Sequence, residues 1–197
     1  YEESLWYQIY GGVSYIADAF QIARKYSKPP VKLFYNDYNV FIPLKTQKII
    51  EITKPILDSG NLDGIGMQAY YNADYPGVYD GKDNIRTAVL RVAQEGFEIA
   101  FTEFTVRVKD RYNIEKDDYE KQAQRYAEIL RMLLELKKSG RINITSITFF
   151  GLIDEYYSYI LKKEQTSYDE NEFTRLFDKY LRPKPAFYAV LNTALQL

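Results

Sequence analysis

The chain has 197 residues, with 26 Lys and Arg against 27 Asp and Glu. A formal charge of −1 argues against a nucleic-acid footprint, and no nucleic-acid partner is expected. The absence of Cys and His excludes disulfides, thiolate nucleophiles, Ser-His-Asp chemistry and most metal sites, so no metal is expected. Carboxylates, Lys, Arg and 20 Tyr remain to carry chemistry. The apolar runs are only strand-length, so no membrane span is expected, and YEESLWYQIY lacks a signal peptide's basic-then-apolar order. At 46% hydrophobic residues the chain can bury a core, and its Tyr and Phe load suits flat polar ligands such as sugars.

In chain order, Tyr15–Tyr26 reads as a helix before a first strand at Val31–Tyr35 (VKLFY). Thr46–Leu57 reads helical, with Pro55 expected to kink or loosen its last turn. A second strand is expected at Asp63–Gln68 (DGIGMQ). Gly81–Glu95 then carries an apolar stripe of Ile85, Ala88, Val89, Val92 and Ala93. The third strand is expected at Phe97–Phe104 (FEIAFTEF). In Asp118–Lys138, Tyr119, Ala123, Tyr126, Leu130 and Leu133 step by four and three, and Gly140 follows as a C′ stop. Ile144–Phe150 (ITSITFF) is the fourth strand and Pro185–Leu195 the last helix.

Apolar strands alternating with amphipathic helices imply right-handed βαβ units, a parallel sheet and an α/β class. No linker or charge block divides residues 1–197, so one unit without an internal boundary is expected. The strands recur about every 38 residues, and eight such units would need about 300 residues, the size of a (β/α)8 TIM barrel. Four strands alone leave unpaired edges, so half a barrel is the natural inference.

In such a barrel the chemistry sits at the C-terminal strand ends. Those ends carry Asn36-Asp37-Tyr38-Asn39, Gln68-Ala69-Tyr70-Tyr71, Glu103-Phe104-Thr105, and Phe150-Gly151 followed by Asp154. Glu103 closes an apolar run in which a carboxylate has no packing reason to be. A strand-end Glu can also simply reach solvent or pair with Arg107. Asp37 suits a loop-holding role and Asp154 a loop cap more than ligand contact.

The segments LFYNDYN (33–39), DGIGMQ (63–68), TEF (102–104), SITFFGLID (146–154) and PKPAFYAV (183–190) resemble glycoside hydrolase family 10, the endo-β-1,4-xylanase family. The opening LWYQIYGGVSYIADAFQIA resembles the family's segment after its fourth strand. The resemblance implies the C-terminal half of the barrel, strands 5–8 with their helices. It implies a retaining, xylan-degrading glycosidase, which uses two carboxyl groups roughly 5–5.5 Å apart. The family nucleophile falls on Glu103. The acid/base Glu would lie before Tyr1, so the isolated chain is expected to be inactive without an N-terminal half from the same gene or a separate chain. Xylan or a xylo-oligosaccharide is the implied ligand, with no cofactor. Xylan lies outside cells, so a secreted or cell-surface protein is expected, with any signal upstream.

The resemblance also places Gln68 beside substrate or Glu103, and Tyr38 and Asn39 against the sugar. Phe150 and Tyr159 (with Tyr157 as rival) stand where the family has tryptophans, although each also suits a core aromatic, Tyr159 more so, and Trp6 falls near the rim or serves as a hydrophobic anchor. Two departures touch the nucleophile. Tyr70 stands where the family usually has His and Thr105 where it has Asp, a hydrogen-bonded pair that braces the nucleophile. Losing the His alone would leave a carboxylate beside Glu103, whereas here both change together. Tyr70 can still donate one hydrogen bond to Glu103. The smaller aromatics and the lost pair motivate an alternative, a non-hydrolysing carbohydrate-binding relative with a degenerate site. A third reading, an unrelated open α/β protein, is disfavoured because no glycine-rich phosphate loop follows a strand.

Overall fold

The computed structural model describes residues 4–108, 115–154 and 173–196. Five strands and six helices are found among them: α1 (Leu5–Tyr10), α2 (Ser14–Tyr26), β1 (Phe34–Asp37), α3 (Pro43–Asp58), β2 (Gly64–Met67), β3 (Tyr70–Asn72), α4 (Ile85–Gln94), β4 (Glu98–Arg107), α5 (Lys116–Lys138), β5 (Ile144–Phe149) and α6 (Pro185–Leu195). All strand pairings are parallel: β1 on β2, β2 on β4, β4 on β5, and the short β3 on the C-terminal part of β4.

The helices cover one face of this sheet. Ile49 and Ile56 of α3, Ile85, Val89 and Val92 of α4, and Ile129 and Leu133 of α5 are buried with Ile65, Ile99 and Phe101 of the strands. On the other face the sheet shows glycine and small polar groups. Thr102 Oγ1 donates to Asn36 Oδ1 at 2.8 Å across Gly66. A Cβ at Gly66 would lie 2.6 Å from that same Oδ1, so glycine is what allows β1 and β4 to reach over β2. At the N-terminal strand ends, Asp63 gathers Arg24 of α2 at 2.5 Å and the Leu33 backbone N–H at 2.7 Å, while Lys32 bonds Glu98 at 2.9 Å.

The α/β alternation and the order of the four principal strands are as the sequence indicated; several boundaries differ. The first strand is Phe34–Asp37, not Val31–Tyr35, because its ladder begins only where β2 supplies a partner, Phe34 opposite Gly64. Helix α3 starts three residues early, at Pro43, where a missing N–H costs nothing, and continues through Pro55 to Asp58. The stretch from Gly81 to Asn84 is a cap, not helix: Asn84 accepts from Thr87 N–H at 2.7 Å and donates to Gly81 O at 2.9 Å. Helix α1 was not anticipated and buries no residue. Gly140 does stop α5, with φ +69°.

The largest difference is in β4, which runs three residues past Phe104. Its end gains partners on both sides. Strand β3 pairs with Thr105–Arg107, and Gln122 and Tyr126 of α5 take the remaining edge. The Val106 N–H donates to the Tyr126 hydroxyl at 3.0 Å, and Gln122 Nε2 donates to Val106 O at 2.7 Å. Two buried polar side chains thus satisfy backbone groups left beyond the end of β5.

Candidate active site

Glu103 is therefore not at a strand end but at the sixth position of a ten-residue strand. What exposes it is a β-bulge. Between the pairs Phe101–Ile147 and Phe104–Phe149, β4 has two residues, Thr102 and Glu103, where β5 has one. On the opposite edge, the same stretch of β4 spans three residues against Gln68 and Ala69. An extra residue breaks the two-residue alternation of side chains. Phe101 and Phe104, three apart, both turn to the helix side, fully buried with ring centroids 5.8 Å apart. Thr102 and Glu103 both turn to the open face and are half-buried. Ala69 takes up the mismatch on the neighbouring edge in the left-handed region, φ +62°, and its carbonyl accepts from Thr105 N–H at 3.1 Å.

The bulge brings Glu103 to Tyr70, the first residue of β3. The Tyr70 hydroxyl donates a hydrogen bond to Glu103 Oε2. Beside it the Phe150 ring meets the Tyr70 ring edge-on, centroids 5.9 Å apart at 72°. The Phe150 N–H donates to Phe104 O at 3.2 Å, which ties that ring to the residue after Glu103. Thr105 sits under this group with 1% of its surface exposed, and its Oγ1 has no hydrogen-bond partner among the described residues. Thr105 thus contributes no charge beside Glu103, and Tyr70 contributes one donor.

The rim continues toward β1. The Gln68 N–H donates to Asp37 O at 3.0 Å, placing half-buried Gln68 between Asp37 and the Ala69–Tyr70 turn. Asp37 holds its own loop: Oδ1 accepts from Tyr38 N–H at 2.8 Å and pairs with Lys45 at 2.8 Å. Lys45 Nζ also lies 3.4 Å from the centre of the Tyr38 ring, leaving the other ring face outward on a residue 56% exposed. An open groove lined by Asp37, Tyr38, Ile42, Leu44, Lys45 and Lys48 runs alongside. Asn39 follows with φ +52° and accepts from Ile42 N–H through its carbonyl.

Tyr70 thus touches both Glu103 and Phe150, with Gln68, Tyr38 and Asn39 along the same rim. Trp6 is 59% exposed on α1, a helix that packs on α2. Tyr159 and Tyr157 lie outside the described residues. Asp154 belongs to the loop's internal support: it is 2% exposed, pairs with Lys184 at 2.8 Å and accepts from Arg175 N–H at 2.8 Å. Burial pushes the Asp154 carboxyl up and the Lys184 ammonium down, and their mutual attraction opposes both. Lys45 and Arg175 were not singled out from sequence. Lys45 offers only its place on the first turn of α3, seven residues after Tyr38, and Arg175 offered no signal at all.

A parallel α/β sheet with polar side chains gathered near the C-terminal strand ends is the arrangement of barrel-type α/β enzymes. The family model for glycosyl hydrolase family 10 matches residues 1–193. The chain belongs to that family. A Caldicellulosiruptor saccharolyticus protein with an endo-1,4-β-xylanase assignment is 38% identical over 194 residues, covering 96% of this chain and 59% of its own. Endo-1,4-β-xylanase B of Butyrivibrio fibrisolvens is 35% identical over 196 residues, 99% of this chain and 29% of its own. Among solved structures, a thermostable mutant xylanase from Cellvibrio japonicus superposes with a TM-score of 0.79 at 27% identity, covering 98% of this chain and 57% of that one. The Clostridium thermocellum xylanase modules complexed with xylohexaose give 0.78 at 29% identity, covering 95% and 34%. The fold matches part of the TIM barrel of these solved structures, and the chain spans less than three fifths of each of these relatives.

Proposed function

We propose that this chain is the C-terminal half, strands 5–8, of a retaining endo-1,4-β-xylanase barrel, with Glu103 as nucleophile. The observation that carries the reading is the Tyr70–Glu103 hydrogen bond at the β4 bulge. A nucleophilic carboxylate must be held still with one oxygen free to attack, and a phenol donating to its other oxygen does that. Glu103 would attack the anomeric carbon with one oxygen while Tyr70 keeps the other in place. The leaving oxygen would take its proton from an acid/base Glu in an N-terminal half, which then activates water for the second step. Gln68, Tyr38, Asn39 and Phe150 would line the sugar sites, together with Trp6 and Tyr159. No cofactor is needed for this chemistry. Because xylan lies outside cells, we also propose export.

The N-terminal half is proposed as partner because both flanks need cover. Leu5, Ile9 and Ile22 are exposed on α1 and α2, and Tyr188, Leu191 and Leu195 on α6. Strands β1 and β5 each have one paired edge among the described residues. The isolated chain is accordingly expected to be inactive.

The test is to assemble the chain with the complementary family half and add a 2-deoxy-2-fluoro xylobioside bearing an activated leaving group. The expected result is one adduct per barrel, mapped by peptide mass to Glu103, and loss of both adduct and turnover in Glu103→Gln. Xylo-oligosaccharide binding without adduct or release would instead identify a carbohydrate-binding relative.

A further inference from the structure

We infer that Arg175 is a positioning residue for Glu103, acting through Phe150 and Tyr70; the inference rests on Glu103 being the nucleophile. Arg175 is 5% exposed and precedes α6 by ten residues. Its Nη1 donates to Phe150 O at 2.7 Å, and its guanidinium carbon lies 5.1 Å from the centre of the Phe150 ring. One side chain therefore fixes both the backbone and the ring of the same residue. The Arg175 backbone is itself fixed by its bond to Asp154, which Lys184 holds from the other side.

The guanidinium lies against Gly151, and a side chain at that position would displace it. A Cβ on Gly151 would lie 2.5 Å from Arg175 Nε and 2.8 Å from Cζ. Gly151 also has φ +78°, where other residues are strained. The loop after β5 is thus built around the arginine. Beyond Phe150, the chain of contact continues to the Tyr70 ring and from its hydroxyl to Glu103. Tyr70 is anchored at its backbone by β3, but its ring can still rotate about two side-chain bonds. The Phe150 edge is a wall against that rotation, and Arg175 keeps the wall upright. An arginine is suited to this because its planar head can donate in plane and stack over a ring at once.

A purely architectural arginine would cost folded protein but leave each folded site as fast as before. The experiment separates the two roles. In the assembled barrel, folded sites are counted by the fluoro-xylobioside adduct, and turnover is expressed per adduct. Arg175→Met is expected to lower kcat about tenfold with KM within about twofold, since misplacing a reacting group by about 1 Å can cost about 100-fold. Arg175→Lys, which keeps a donor but not the plane, is expected to recover part of that loss. Tyr70→Phe combined with Arg175→Met should be no slower than Tyr70→Phe alone, because both break one chain. Unchanged kcat per site, or losses that multiply, would overturn the inference. A wild-type barrel that forms no adduct would defeat the nucleophile reading instead. In the assembled barrel with isotope-labelled Tyr and Phe rings, an NOE between the Tyr70 and Phe150 rings should be present in the wild type and lost in Arg175→Met and Gly151→Ala. Its persistence in both variants overturns the positioning role whatever the enzymology shows.

Discussion

Glycine does as much for this site as the carboxylate. Gly66 lies between Asn36 and Thr102, whose side chains bond above it at 2.8 Å. A methyl group there would lie 2.6 Å from Asn36 Oδ1 and 3.1 Å from Thr102 Cγ2. Both neighbours are side chains on strands that cannot move apart without losing the β1–β2–β4 ladder. Gly66→Ala is therefore expected to break the Thr102–Asn36 bond and cost about 1–3 kcal/mol, measured by urea denaturation. A cost below about 0.5 kcal/mol would mean that the open face tolerates bulk. Glu103 was legible in the sequence because a carboxylate ending FEIAFT has no packing reason. Its direction was not, since the bulge is a count of residues across three strands. Nor was Arg175, whose partner is a glycine's empty space. The sequence reading allowed Tyr70 one hydrogen bond to Glu103, and that bond is present.

The helices were legible as elements because their apolar periodicity is one-sided. The four buried positions of α4 are all in the stripe read from sequence. Strand β3 was not legible. Three residues, one of them the buried Tyr71, carry no periodicity, and they pair only because β4 runs on past the bulge. At the opposite strand ends a single carboxylate links three elements. Asp63 accepts from Arg24 of α2 and from the Leu33 N–H leading into β1, and it immediately precedes β2. Burial alone would raise its pKa, but the Leu33 N–H, Arg24 and Lys32 together hold the carboxyl below its ordinary value. A carboxyl depressed in the folded state gives stability that is complete above the unfolded pKa of about 3.9 and lost as pH falls through the folded value. Asp63→Asn should therefore lower Tm at pH 7, and the gap from wild type should narrow below about pH 4. A gap that is constant from pH 7 to pH 3 would show that the charge on Asp63 contributes nothing.

On the scale of the whole molecule the sheet is unfinished on two sides. Strand β1 pairs on one edge with β2, and β5 on one edge with β4, so each presents a second edge without a described partner. Unpaired strand edges recruit other strands, and blunting them takes prolines, bulges or inward charges. Neither β1 (FYND) nor β5 (ITSITF) contains a proline or a lysine. The flanking helices add to this, with Leu5, Ile9 and Ile22 exposed on one side and Leu191 and Leu195 on the other. Apolar patches of this kind mark surfaces meant to be covered. The isolated chain is thus expected to self-associate, with a sedimentation coefficient that rises with concentration. Added complementary half should replace those species with one barrel-sized particle and raise Tm, since a partner that binds only the folded form stabilises it by mass action. Edge pairing and flank packing make separable contributions. Leu5→Ser with Ile9→Ser should weaken assembly while leaving self-association through β5 in place. A chain that sediments as a monomer at every concentration and unfolds cooperatively would mean that these edges are already satisfied, and the half-barrel reading would fall with them.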